Sequence, residues 1–338
     1  MASSHQLVDA LQDQNDAALA LAEAIAGGDR RRTIELFTTF TNVADLLRVV
    51  PKSARITGLS ELVSHGQTHA RSYGGGAGRG LGRGRTARTG PSIFSDPLYL
   101  RNARKVITRH ERIVNGKPTA EFNDCVAIGG TSDWCCTGTI VAPNVVVTAA
   151  HCARGDCAAR IFIGTDVKKL SKGRVVRVAH SYVHPKYRGP DTPYDLSVLV
   201  LEEKVSVAPR RIASRAAVAR AESVRVVGFG TTDTQGRHGY GLRRVVDVPM
   251  ATAKKAYGAL PSVEFVAAAP FNDNDTCKGD SGGPAYVADT GGWSVGGATS
   301  RGTRGGPNSR TCGDGGIYTR LYAFRDWIKS RPGVQWKA

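Results

Sequence analysis

The sequence predicts a mainly β protein preceded by a small α-helical module. Forty glycines and only two methionines among 338 residues point to many turns and a β-rich body. From residue 113 onward, short β-branched runs recur between turn residues, at 139–141, 145–148, 160–163, 174–178, 196–201, 223–227, 243–248 and 316–318. That spacing belongs to an antiparallel sandwich or barrel. Before residue 66 the apolar positions instead recur at intervals of three, four and seven, the period of a helix.

Taken in order, Val8, Leu11, Ala18, Ala22 and Ile25 mark one face of a helix over 4–26. Ser3 with Gln6 resembles a capping box, and Gly27-Gly28 ends the run. Asp29 can cap a second helix over 33–50, with Ile34, Phe37, Phe40, Val43 and Leu47 on its apolar face and Pro51 closing it. A short third helix fits 58–64. Residues 1–65 therefore form a helical unit whose apolar face needs cover. It is either a prosegment lying on its own chain or a docking module for a protein partner or activator.

Residues 66–112 change character. Gly74-Gly75-Gly76 leads into Gly78-Arg79-Gly80-Leu81-Gly82-Arg83-Gly84-Arg85, and over 66–110 nine basic residues face one acidic residue, Asp96. This composition reads as a flexible linker that buries no core. Arg-Gly segments can bind RNA by stacking and charge, but with more repeats and interleaved aromatics. Only Tyr73 lies near, so a solvated linker is the better reading and nucleic acid is not an expected partner. In the last stretch, Phe324, Trp327 and Ile328 give 322–329 helical spacing.

The net charge of +17 is spread over both parts of the chain. Residues 1–112 carry 16 Lys/Arg against 10 Asp/Glu, and the remainder 30 against 19. A basic balance alone fits nucleic acid, acidic surfaces or plain solubility. The sequence has no run of about 18 apolar residues, so no membrane-spanning helix is expected. The opening residues lack a basic start and an apolar centre and carry Asp9, Asp13, Asp16 and Glu23. They read as cytoplasmic, with secretion by another route as the alternative. All seven cysteines fall between Cys125 and Cys312, which sets off a separate C-terminal module and leaves an odd thiol.

Three stretches of that module carry chemistry. In Asp275-Thr276-Cys277-Lys278-Gly279-Asp280-Ser281-Gly282-Gly283-Pro284 a serine sits among glycines, on a turn that lifts its hydroxyl into the open. Bare backbone beside it can aim N–H groups at a developing negative charge. His151 follows an apolar strand in Thr148-Ala149-Ala150-His151-Cys152, and Asp195 opens the apolar run Leu196-Ser197-Val198-Leu199-Val200-Leu201. A carboxylate at the mouth of so apolar a strand needs a partner, and an imidazole suits it. Each feature alone also fits a surface turn or a structural side chain.

In the order His, Asp, Ser, these stretches resemble the chymotrypsin/trypsin-like serine peptidases, the family from which the general account of such triads is drawn. Ile113-Val114-Asn115-Gly116 is similar to the family's mature N-terminus. Thr148–Cys152, Asp195–Leu199 and Gly279–Pro284 are similar to its histidine, aspartate and serine motifs. The resemblance implies two six-stranded antiparallel β-barrels with a C-terminal helix and the triad at their junction. By position it makes His151 the general base, Asp195 its orienting acid and Ser281 the nucleophile, with Gly279 and Ser281 N–H groups as the oxyanion hole. Asp275 then stands at the base of the specificity pocket and selects Arg or Lys, while Ser300, Gly302 and Gly316 line the pocket. Arg301 stands where the family has an aromatic residue, and is expected to repel basic residues upstream of the cut or attract acidic ones.

The resemblance also implies activation. Cleavage after Arg112 frees the α-amine of Ile113 to pair with Asp280, so residues 1–112 become a prosegment and the full chain a zymogen. Arg109, Arg112 and the Arg-Gly linker are themselves candidate substrates of an Arg/Lys-specific enzyme, which suggests self-activation. The resemblance pairs Cys136 with Cys152 and Cys277 with Cys312. Of the remaining cysteines, Cys125–Cys157 is the favoured pair and Cys135 the free thiol. No cofactor is expected. No cysteine spacing suits zinc, and 164–175 offers only Asp166 toward a calcium loop. The expected function is an Arg/Lys-specific serine endopeptidase, intracellular and regulated, with bacterial defence as one setting. The alternatives are a secreted degradative peptidase with an unusual propeptide, and a protein that binds RNA or a partner through its linker.

Overall fold

A computed structural model of the chain describes residues 93, 96–109, 116–232, 238–268, 279–304 and 315–336. The chain divides into two units, Met1–Thr86 and Ala87–Ala338, and every described residue belongs to the second. The helices expected over 4–26, 33–50 and 58–64 and the Arg-Gly run lie outside the described residues, as do Arg112, Ile113, Asp275, Cys277 and Cys312.

The first barrel is built from β2 (Cys125–Gly129), β3 (Trp134–Ala142), β4 (Val145–Thr148), β5 (Arg160–Ile163), β6 (Arg174–Val183) and β7 (Ser197–Leu201). They close in the order β2-β3-β4-β7-β6-β5, all antiparallel. The second contains β8 (Ser223–Gly228), β9 (Arg244–Ala251), β10 (Glu264–Ala267), β11 (Pro284–Asp289), β12 (Gly292–Gly302) and β13 (Gly316–Arg320). Its sheet runs β9-β10-β13-β12-β11-β8, closes through β8–β9, and carries the short β1 (Lys117–Pro118) outside β9. The two six-stranded barrels expected from the resemblance are present.

Strand alternation explains why β4 and β7 read as unbroken apolar runs. Val146 and Leu199 enter a core within the first barrel, with Ile128, Ile140 and Ile161. Val145, Val147, Val198 and Val200 face the other way, into a core shared with Phe229, Tyr286 and Leu321 of the second barrel. Both faces are therefore dry. The chain ends in α3 (Arg325–Lys329), whose Ile328 joins the shared core; α2 (Arg215–Arg220) precedes β8 and is capped by the Ser214 hydroxyl, which accepts from Ala217 N at 3.0 Å.

Two expectations change. Residues 97–109 are not flexible linker: Pro97–Arg109 form α1. Asp96 caps it, its Oδ1 accepting from Leu98 N and Tyr99 N at 3.1 and 3.3 Å, and Pro97 occupies the first turn, where a missing N–H does no harm. Its Tyr99 and Ala103, one turn apart, pack with Ile93 against Ala251, Val266 and Ile317 of the second barrel. The Arg/Gly composition of the preceding stretch masked an ordinary Asp-Pro helix start.

The cysteine pairing also differs. Cys136 joins Cys152 as expected, but Cys135 joins Cys157, and among the described residues Cys125 is the free thiol, buried. Neighbours on a strand point to opposite faces, so Cys135 and Cys136 of β3 reach two separate segments instead of competing for one. Cys125 points into the core between the barrels, with Sγ 3.6 Å from the Val227 carbonyl. Burial pushes its thiol pKa well up, the behaviour of an inert packing group.

Candidate active site

The turn around Ser281 is wedged between the barrels, and glycine is what allows it. Gly282 has φ 76°, and a Cβ there would lie 1.9 Å from Thr148 Oγ1 and 2.6 Å from Ala149 N. The serine turn thus runs hard against the end of β4, just before His151. Thr137 N donates to the Ser281 carbonyl (2.9 Å) and Gly282 N to the Thr299 carbonyl (2.7 Å), which ties the turn to β3 on one side and β12 on the other. Thr137 Oγ1 holds the Gly279 carbonyl at 2.7 Å, with Gly279 itself at φ 99°.

His151 leaves β4 on a short 3-10 turn, His151–Ala153, pinned by the Cys136–Cys152 disulfide. Its Nδ1 lies 2.8 Å from Asp195 Oδ2, and its backbone N–H donates to Asp195 Oδ1 at 3.0 Å. The carboxylate therefore grips both ring and backbone. The Asp195 side chain is 4% exposed and that of His151 31%. The acid is sealed while the ring reaches solvent. With Nδ1–H given to the carboxylate, Nε2 is left as a base.

Asp195 is itself held from the second barrel. Ser300 Oγ donates to its Oδ2 at 2.7 Å, and Thr319 Oγ1 to its carbonyl at 3.0 Å. Tyr194, just before it, adopts φ 66°, uncommon for a bulky residue. Its ring is fixed by stacking on His184 at 5.4 Å, and His184 is boxed in by Phe324 and Trp327. Burial, then Lys186 and Arg331, lower the His184 pKa to about 4. Tyr187 is raised to about 12 by burial and by the Asp195 carboxylate.

Ser300, expected to line the pocket, donates its hydroxyl to Asp195. Gly302 and Gly316 pair across β12 and β13. Among the described residues, a Cβ at Gly302 would meet only the Gly315 carbonyl, at 3.9 Å. One at Gly316 would strike the Tyr318 ring and hydroxyl at about 3 Å. Arg301 does not present the open cation expected of it. Its Nη1 and Nη2 bind Glu264 Oε1 and Oε2 at 2.7 and 3.0 Å, and Nη2 also donates to the Gly258 carbonyl at 2.9 Å. With Glu264 wholly buried, the guanidinium's charge is met inside the wall. Nη1 also donates to Ser300 Oγ at 3.1 Å, so Glu264, Arg301, Ser300, Asp195 and His151 form one chain of hydrogen bonds.

Asp280 turns its carboxylate onto Gly228 and Gly230. Its Oδ1 accepts from Gly230 N at 2.8 Å, and its carboxylate lies so near Gly228 and Gly230 that a Cβ at either would come within 2.3 Å of an oxygen. Among the described residues, Cys136, His151 and Cys152 group at metal-ligand distance, but both thiols are spent in the disulfide.

A sequence model of the family described as Trypsin matches residues 113–328. The chain belongs to the trypsin family. A trypsin from Saccharopolyspora erythraea is 36% identical over 199 residues, covering 56% of this chain and 84% of that protein. Trypsin 5G1 of Aedes aegypti is 31% identical over 238 residues, covering 66% and 86%. A chymotrypsin-like elastase family member 1 from Canis lupus familiaris is 28% identical over 255 residues, covering 69% and 97%. The chain is thus a trypsin-like serine protease, a hydrolase acting on proteins or peptides. The local motifs mark His151, Asp195 and Ser281, and the structure joins the first two. The bonds of Ser300 to Asp195 and of Arg301 to Glu264 had no local signal, because they join one barrel to the other and one strand to another across β13.

Proposed function

We propose that this chain is a serine endopeptidase cutting after Arg or Lys, held as a precursor until cleaved after Arg112. The observation that carries the catalytic part is the His151–Asp195 pair, gripped at ring and backbone and sealed by Ser300. In this reading Ser281 Oγ attacks the substrate carbonyl and His151 Nε2 takes its proton. Asp195 stabilises the imidazolium, which then protonates the leaving amine; water repeats the sequence on the acyl-enzyme. The N–H groups of Gly279 and Ser281 receive the oxyanion, at about 10²–10³ in rate per donor. Asp275, six positions before Ser281, supplies the preference for a cationic side chain. The Asp280 carboxylate, packed on the bare backbone of Gly228 and Gly230, supports Asp280 as the acceptor for a new terminus at Ile113.

The test is a panel of fluorogenic peptides with Arg, Lys, Ala, Leu or Phe at the cut residue, run alongside N-terminal sequencing. We expect rates on Arg and Lys higher by on the order of 10²-fold or more, and an active form beginning at Ile113. A preference for Ala, Leu or Phe, or full activity of the uncut chain, would refute it. Ser281→Ala protein incubated alone should stay uncut at Arg112 if activation is by its own kind.

The two disulfides support a second point, that the enzyme matures in an oxidising compartment, as an exported and not a cytoplasmic protein. Thiol alkylation and mass measurement on natively produced protein decide between these settings. Four cysteines resistant to alkylation favour export, and free thiols at all four favour the cytoplasm.

A further inference from the structure

Ile93 and residues 96–109 precede the proposed cut, yet they pack on the second barrel. Ile93 and Tyr99 are 1% and 2% exposed, and with Ala103 they cover Ala251, Ala259, Val266, Ala268 and Ile317. Without this segment a face of the barrel would be bare apolar surface. Ile93 sits so close to the barrel that a Cβ on Gly315 would lie 3.1 Å from its Cδ1.

A polar lock accompanies the apolar contact. The Asp96 side chain is wholly buried and receives Thr252 N at 3.2 Å, Thr252 Oγ1 at 3.0 Å, Tyr257 OH at 3.4 Å and Lys254 Nζ at 2.7 Å, besides the two N–H groups of its own helix. Burial raises its pKa, and the bonds from Lys254 and Thr252 outweigh that and leave it below the ordinary value. Further along, Asn102 donates from Nδ2 to the Met250 carbonyl at 3.0 Å, and Lys105 pairs with Glu222. A segment merely passing the barrel has no reason to bury a carboxylate and an amide against it. Since the first 124 residues contain no cysteine, no disulfide can hold this segment to the rest.

We propose that residues 93–109 are a noncovalent anchor: once the chain is cut after Arg112, residues 1–112 stay on the catalytic body. The mature enzyme is then a two-chain complex that carries its N-terminal module, and whatever that module binds, to its substrates. The proposal takes only the position of the break from the activation reading.

The experiment removes even that dependence. A recognition sequence for an unrelated site-specific protease is inserted between Arg109 and Gly116 in full-length Ser281→Ala protein. Cutting is followed by denaturing gel and association by size exclusion at falling concentration. The expected result is co-elution of both fragments at micromolar concentration after complete cutting. Asp96→Ala and, as a milder variant, Asn102→Ala should each raise the concentration at which the fragments part by about tenfold or more, an effect of about 1.4 kcal/mol. Separation of the unaltered fragments at micromolar concentration, or parting that neither variant shifts, overturns the anchor. Absence of natural cleavage at Arg112 would instead defeat the activation reading and leave this result standing.

Discussion

Arg301 and Glu264 show how a single substitution relative to a family pattern is absorbed. A guanidinium in place of an aromatic ring would be expected to colour the substrate groove with charge. The fold instead supplies a wholly buried carboxylate on β10, and the two form a bidentate pair. Such a pair adds little net stability over an apolar one, but breaking it strands a charge in the interior. Arg301→Leu should therefore destabilise the protein by about 3–5 kcal/mol, and Arg301→Leu with Glu264→Leu should recover much of that loss. Urea unfolding of the Ser281→Ala form measures both. If the single and double variants are equally unstable, the pair is not what Arg301 contributes.

At the level of elements, the run into β7 is the most constrained piece of the site. Tyr194 is held left-handed by a box of rings, His184, Phe324 and Trp327, and that turn delivers Asp195 to His151. His184 belongs to the box only as a neutral ring, with a pKa near 4 against 6.5 for a free histidine. Its folded pKa lies below its unfolded one, so the unfolded chain binds the proton more readily. The stability it contributes is complete above about pH 6.5 and is lost as pH falls towards 4. His184→Phe should flatten the fall in melting temperature between pH 6.5 and 4 seen for the unaltered protein. A pH profile unchanged by that substitution would exclude His184 as its source. The disulfides act on the same scale, pinning the histidine turn and the adjoining Gly155–Ala158 turn to β3.

Across the whole catalytic body, the barrels share one core. Val145, Val147, Val198 and Val200 from the first interleave with Phe229, Tyr286, Val295 and Leu321 from the second, and Phe324 and Ile328 from the tail close it. Neither barrel can lose that face without exposing the other. Denaturant unfolding of this body should be a single transition, with near-ultraviolet circular dichroism and Trp fluorescence superimposing. Two separated transitions would mean that the barrels are independent units joined only at the site.

Much of this was legible in the chain order of residues. The β character, the family and the identities of His151, Asp195 and Ser281 follow from local patterns, since strand alternation, turn glycines and motif neighbours are all encoded within a few positions. Strands rich in small residues escaped: β12 carries four glycines among its 11 residues, and its strand character comes from pairing with β11 and β13 on both sides. Folding in three dimensions decided the rest. The partner of Cys135, the turning of Ser300 onto Asp195, the quenching of Arg301 and the docking of α1 each join residues 22 or more positions apart. Such contacts depend on barrel closure and strand register, which no local window of sequence contains.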